Sequence, residues 1–141
     1  MPSHKIVLDT NCLLVSISKY GEAYPVWRGF LDGRYTLCVS TEILEEYEEI
    51  IGSMATPEIA RNVVDAILKR KNVERIDPYF HWNLITADPD DNKFVDCAFA
   101  TGADYLVSED SHFKVLHQTP FPHLNLVTLD EFLKTTIIEA Q

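Results

Sequence analysis

The sequence predicts an α/β protein: a three-layer α/β/α arrangement around a central, mostly parallel five-stranded sheet. Three observations carry that expectation. Short apolar runs alternate along the chain with stretches of helical periodicity. The first run, at 5–8, is continuously apolar after Lys5, as a strand buried on both faces requires. Turn and capping residues separate the segments, among them Asp32-Gly33, Pro57 and Gly102. No repeat, low-complexity tract or Pro/Ser-rich linker divides the 141 residues, so a single domain over 1–141 is expected.

Taken in order, residues 5–8 form the first strand and end at Asp9. A helix follows from about 12 to 19, then another over 24–31 before the Asp32-Gly33 turn. Residues 35–39 form the second strand, and Ser40 or Thr41 caps a helix to about Met54. Pro57, suited to a first helical position, opens a helix to about 71. Residues 73–76 form the third strand and 77–90 an irregular loop with Pro78 and Pro89. A helix over 91–101 is stopped by Gly102. Residues 104–108 and 124–128 form the last strands, and a helix from 130 to about 138 closes the chain. Ligands of such sheets bind outside the carboxyl ends of the strands, which directs attention to Asp9 and to 108–110.

The net charge is −10, from 22 acids against 12 Lys and Arg. That balance argues against a nucleic-acid binder that relies on a broad basic face, but not against a nuclease whose metals offset its carboxylates. Three separated cysteines, Cys12, Cys38 and Cys97, with no CxxC pair, read as buried reduced thiols in a cytosolic protein. The first residues lack the pattern of a secretory leader, and no apolar stretch is long enough to cross a bilayer. A cytoplasmic location away from membranes is therefore expected.

Four carboxylates deserve comparison with simpler roles. Asp9, in LDTN, suits a helix N-cap as well as a metal ligand at a strand end. In the helix after Ser40, Ile43, Leu44, Tyr47, Ile50, Ile51 and Met54 form the apolar stripe. Glu42, Glu45 and Glu49 point away from it, while Glu46 and Glu48 lie at its margins, and periodicity does not choose between those two. In the helix from 91, Phe94, Val95, Ala98 and Phe99 define a buried face with Asp91 in its middle. An acid there must cap, pair or bind metal. Asp96 lies well around that helix and ranks lower, and Asp88 and Asp90 suit solvent or capping. Asp110 follows the fourth strand by two residues, where Glu109 and Asp110 could equally begin a short helix. Together the acids suit Mg²⁺ or Mn²⁺ rather than zinc, and the histidines show no HxxxH or HExxH spacing. No phosphate-cradling GxGxxG or GxxxxGK[ST] loop is present.

Three segments resemble PIN-domain proteins of the kind found as toxins in prokaryotic toxin–antitoxin pairs. They are IVLDTN at 6–11, STEILEEYEEI at 40–50 and DPDDNKFVDCAFATGADYLVSED at 88–110. The resemblance implies a metal-dependent ribonuclease acting on single-stranded RNA, with four acids around one or two Mg²⁺ or Mn²⁺ ions. Those acids fall on Asp9, Glu46, Asp91 and Asp110, as both metal ligands and catalytic residues, with Asn11 and Ser108 supporting them. It also implies a small antitoxin partner and admits a homodimer, to which Trp27, Phe30 and Trp82 are candidate contributors. Ser-Glu-Asp at 108–110 stands where Thr-Gly-Asp or Thr-Arg-Asp is frequent.

Candidates for substrate contact are Lys93, His112 and Lys114, near the site in sequence. The cluster Arg61, Lys69, Arg70, Lys71 and Arg75 reads more simply as cations at a helix C-terminus. Phe80, His81 and Trp82 could stack on bases or simply pack. Two rival functions remain. A haloacid-dehalogenase-like phosphatase wants a second acid two positions after Asp9, where this chain has Asn11. A non-catalytic acidic pocket binding RNA or an antitoxin would have to keep four acids together without metal.

Overall fold

The structure, a computed structural model, describes residues 4–119 and 123–138. Strands β1 (Lys5–Leu8), β2 (Thr36–Val39), β3 (Val73–Arg75), β4 (Tyr105–Val107) and β5 (Leu126–Val127) form one sheet in the order β3-β2-β1-β4-β5. Every neighbouring pair is parallel. The strands are shorter than the apolar patterns suggest, because ladder pairing stops before the flanking residues leave the core. Ile6, Val7 and Leu8 are all buried, as are Leu37, Cys38 and Val39. Successive strand residues point to opposite faces, so both faces are covered, and the fold is the expected three-layer α/β/α arrangement.

The helices are α1 (Thr10–Ser16), α2 (Tyr24–Leu31), α3 (Thr41–Met54), α4 (Pro57–Lys69), α5 (Asn92–Thr101) and α6 (Leu129–Phe132). The last widens into a π-type turn over Leu133–Ile138 instead of running on as a regular helix. Tight 3₁₀ turns occupy Pro89–Asp91 and Ser111–Gln118. Side-chain caps set most of the helix starts. Asp9 caps α1, so that helix begins two residues earlier than expected. Ser40 rather than Thr41 caps α3, its hydroxyl accepting from the Ile43 amide at 3.3 Å. Thr128 and Glu131 form a reciprocal capping box on α6. Gly102, at φ 68°, ends α5 in the left-handed conformation, and Ala103 N–H returns to the Ala98 carbonyl.

Two packing expectations need correction. Met54 is 69% exposed, because α3 outruns the core after the fully buried Ile51. Trp27 and Phe30 are buried, stacked on one another in the core with their centroids 5.3 Å apart, and offer little surface to a second subunit. The three cysteines are buried and unpaired, as expected. None of the described helices is long and apolar enough to cross a membrane.

The strand order fixes where a ligand has room. From β1 the chain builds outward to β2 and β3, then returns to place β4 and β5 on the other side of β1. The order therefore reverses between β1 and β4. Crossovers leave these two strands in opposite directions, and a crevice opens beyond their carboxyl ends. Asp9 follows β1 and Ser108 follows β4, at the two lips of that crevice.

Candidate active site

Asp9 is anchored from both sides. Its amide donates to the Val107 carbonyl at 3.1 Å, extending the β1–β4 pairing by one residue. One carboxylate oxygen accepts the Cys12 amide at 2.8 Å, and the other accepts the Ser108 hydroxyl in a short hydrogen bond. Capping and site placement are thus not alternatives: the cap holds the acid at the strand end, at the positive end of α1. Asp9 is 5% exposed, and burial raises its pKa against the pull of these hydrogen bonds. Ser108 also accepts the Asp110 amide at 2.9 Å, so one hydroxyl orients the first acid and the turn carrying the fourth.

Asp110 caps the 3₁₀ turn after it, accepting the His112 amide at 2.9 Å. The His112 imidazole Nδ1 lies 3.2 Å from Asp91 and 3.4 Å from Asp110. The bond to Asp91, helped by the Asp110 charge, raises the His112 pKa. Asp91 stands at the start of α5 without making a cap bond, its carboxyl free to face the crevice. Its pKa is raised by burial and by the charges of Asp110 and Asp88, despite its bond to His112. Ligating atoms of Asp88, Asp91 and His112 lie within 4.8 Å of one another.

Glu46 comes from α3. The Tyr47 hydroxyl donates to the Leu8 carbonyl at 2.5 Å, tying α3 to the end of β1 and so Glu46 to the neighbourhood of Asp9. Thr10 donates to one Glu46 oxygen in a short bond, and the Lys93 ammonium meets the other at 2.7 Å. Lys93 also pairs with Asp90 at 3.0 Å. Its burial opposes the charge, but the bonds to both carboxylates prevail and raise its pKa, while Lys93 lowers that of Asp90. The result is an open cleft of about 240 Å³ whose walls include Asp9, Glu46, Asp91 and Asp110, together with Thr10, Asn11, Asp88 and Asp90. Residues 5–112, which span every one of these side chains, match the family model of the PIN domain.

The chain belongs to the PIN-domain family. A solved structure agrees on the fold of this PIN domain: the crystal structure of VapBC2 from Rickettsia felis bound to a DNA fragment from their promoter. One of its chains superposes with a TM-score of 0.60 at 20% identity, covering 88% of this chain and 98% of that one.

The remaining sequence candidates divide. Asn11 lines the cleft of the PIN domain, and Glu48 is exposed outside it. Asp96 faces away: buried at 4% exposure, it accepts the Trp82 amide at 3.0 Å and meets His81 Nδ1 at 3.0 Å. Lys93 borders the cleft, but both its neighbours are carboxylates and its side chain is 11% exposed. Lys114 borders a separate recess on the β5 side, which shares Ser108 and Asp110 with the site. Arg70 and Arg75 bond to Leu31 and Thr41, away from the cleft.

Thr10, Asp88 and Asp90 also line the cleft, beyond the acids to which the sequence points. Asp88 does cap, accepting the Asp90 amide at 3.1 Å, yet the same 3₁₀ turn swings it beside Asp91. Its signal in the sequence was spacing, three residues before Asp91 across a single tight turn. Thr10 carried no comparable signal, since its partner lies 36 residues away.

Proposed function

We propose that this PIN domain is a Mg²⁺- or Mn²⁺-dependent endoribonuclease that hydrolyses phosphodiesters of single-stranded RNA, with Asp9, Glu46, Asp91 and Asp110 as its metal-binding catalytic acids. One observation carries the reading: these carboxylates, from four separate segments, line one open cleft at the switch point of a parallel sheet. The donor set fits a hard, oxygen-seeking cation. It is dominated by carboxylates, contains no thiolate, and leaves an open side for waters and a phosphate. The raised pKa values of Asp9 and Asp91 mark charge that the protein alone does not compensate.

Bound there, one or two ions would lower the pKa of an attacking water and offset charge on the phosphate. The protein's own part is positioning. Ser108 and the Cys12 amide fix the rotamer of Asp9, and Thr10 fixes that of Glu46. Hydrolysis makes one P–O bond and breaks another, and the leaving oxygen takes a proton. His112, held between Asp91 and Asp110 with its pKa raised, is the cleft-edge group suited to carry that proton near neutral pH. Asn11 is placed for a polar contact, and Lys114 approaches Asp110 from outside as a phosphate contact.

The biological reading is a toxin, restrained in the cytoplasm by a small antitoxin whose basic side chain enters the acidic cleft. Support comes from the family and from the fold shared with a chain of VapBC2. In a homodimer, Trp82 would be the contributor from among the three aromatic candidates, since the other two are buried. A second reading, an acidic pocket that binds without cutting, draws on Lys93, which already neutralises part of the charge at Glu46 and Asp90.

Cleavage of a single-stranded RNA, scored with Mn²⁺ and with EDTA and compared between wild type and Asp9→Asn, separates the two. The nuclease reading expects cutting by the wild type with Mn²⁺ alone. Undiminished cutting by Asp9→Asn would falsify the assigned site, and metal-loaded wild type that binds RNA without cutting favours the second reading. Single-stranded DNA of matching sequence tests the preference for RNA.

A further inference from the structure

Glu46 and Asp90 belong to two hollows. One is the acid cleft, which both of them line. The other is a recess of about 270 Å³ that they share with Glu42, Glu45, Glu49 and Lys93. Lys93 stands in this second hollow and reaches both shared acids. Its ammonium meets Glu46 Oε1 at 2.7 Å and Asp90 Oδ1 at 3.0 Å, and lies 5.9 Å from the centre of the Phe94 ring.

The lysine is fixed there by the fold. Its side chain is only 11% exposed. The buried Asn92 beside it accepts the Ile85 amide and donates to the Ile85 carbonyl, both at 2.9 Å, which pins the start of α5. On Glu46, the Thr10 hydroxyl donates to the other oxygen, Oε2. Glu46 is thus gripped on both oxygens, by a hydroxyl and by an ammonium. A phosphate seeking Lys93 would have to displace two carboxylates, so the charge of Lys93 acts on the acids and not on RNA.

Charge is divided unevenly along the cleft as a result. Asp9, Asp88, Asp91 and Asp110 are four carboxylates with the His112 imidazole among them. Among the described residues, Asp88, Asp91 and His112 are the group whose ligating atoms gather within 4.8 Å, and neither Glu46 nor Asp90 belongs to it. At Glu46 and Asp90, two carboxylates share one ammonium, which leaves a single negative charge. Two-metal hydrolytic sites hold their ions roughly 3.5–4 Å apart as a clamp on the attacking and leaving oxygens. A divalent ion drawn to Glu46 and Asp90 would have to expel the ammonium or lie beside it, and like charges at that range repel strongly.

We propose that Lys93 is a positioning residue that serves as a resident cation at the Glu46 end of the cleft, so that the site takes one divalent ion, at Asp9, Asp91 and Asp110, and no second ion at Glu46 and Asp90. The inference rests on the metal-dependent nuclease reading. Glu46 still has lone pairs to offer the single ion, directly or through a water, because a carboxylate oxygen accepts more than one bond. The test is a count of bound Mn²⁺ on the full metal-stripped chain, by the electron paramagnetic resonance signal of the free ion, with thermal melting to check the fold. Wild type should bind one Mn²⁺ per chain, with any further ion at least about tenfold weaker. Lys93→Met should bind two, and Lys93→Arg, which keeps the charge, one. Adding Asp90→Asn to Lys93→Met should return the count to one. Two ions of similar affinity on the wild type, or one on a Lys93→Met chain that melts cooperatively, overturns the resident cation and leaves the metal reading intact. Where Lys93→Met does not fold, Lys93→Gln takes its place, and the wild-type count decides by itself. A wild type that binds no Mn²⁺ takes both readings down together.

Discussion

At the residue scale, the carboxylate of Asp9 has two tasks, capping α1 and facing the cleft, and an amide replacement separates them. Asn caps as well as Asp, so Asp9→Asn should fold, and its metal-free form should be at least as stable because the penalised charge is gone. Cleavage should drop by more than the roughly 10–100-fold typical of losing an outer-shell partner. Ser108→Ala tests that outer shell directly, and should lower apparent metal affinity by roughly 10–100-fold while Asp9 itself remains. The pH dependence follows from three raised pKa values, those of Asp9, Asp91 and His112. Each group binds protons more readily folded than unfolded. Its stabilising contribution is complete below the ordinary value, 3.8 for the acids and 6.5 for the imidazole, and disappears as pH rises through the raised one. Asp90 and Asp77, both lowered, act oppositely but only below 3.8. Metal-free protein should therefore melt at lower temperature as pH is raised from about 5 to about 8. Added Mg²⁺, which competes with those protons, should raise the melting temperature more at the alkaline end. A melting temperature that climbs with pH in EDTA contradicts the arrangement of charges described above.

At the element scale, the site depends on how α3 and α5 are fastened to the sheet. Tyr47→Phe deletes the bond to the Leu8 carbonyl and leaves a buried acceptor, at a cost of about 1–3 kcal/mol by urea unfolding. It should also reduce cleavage, because Glu46 immediately precedes Tyr47 on α3 and is held in place with it. Gly102→Ala forces a side chain into a left-handed residue and should cost roughly 1 kcal/mol without touching the cleft. These elements show what a sequence does and does not disclose. Periodicity separated Glu42, Glu45 and Glu49 from the margin positions, because the helical angle is a local property. It could not choose between Glu46 and Glu48, because Thr10 and Lys93, the partners on Glu46, come from other elements. The same reason hid Thr10. Strand ends were overextended because an apolar flank reads like a strand whether or not it pairs. Helical periodicity puts Asp91 in the middle of a buried face, whereas it lies at the junction of a 3₁₀ turn and α5, partly open to the crevice.

At the scale of the whole molecule, the net charge of −10 and the crowding of acids at one crevice favour cation binding by the folded chain alone. The unfolded chain has the same acids but does not gather them. Mg²⁺ at a hundred times its dissociation constant should then add about 2.7 kcal/mol of stability, readable as a rise in melting temperature that EDTA reverses. Asp9→Asn should lose most of that rise, and an unchanged rise would place the ion elsewhere. The α/β class and the strand sequence were legible because they repeat along the chain. Their spatial order was not, since β4 docking beside β1 is written in no local pattern.

That docking has a further consequence, for the chain during its own synthesis. Ser108 reaches back across 99 positions to Asp9, and Asp110 belongs to the same late turn. A nascent chain that has not yet delivered this turn has one lip of a crevice and no opposite wall. Whatever chemistry the cleft performs is therefore withheld until residues 108–110 have been made and have docked. A product truncated before that turn would lack Asp110 and the Ser108 bond that orients Asp9.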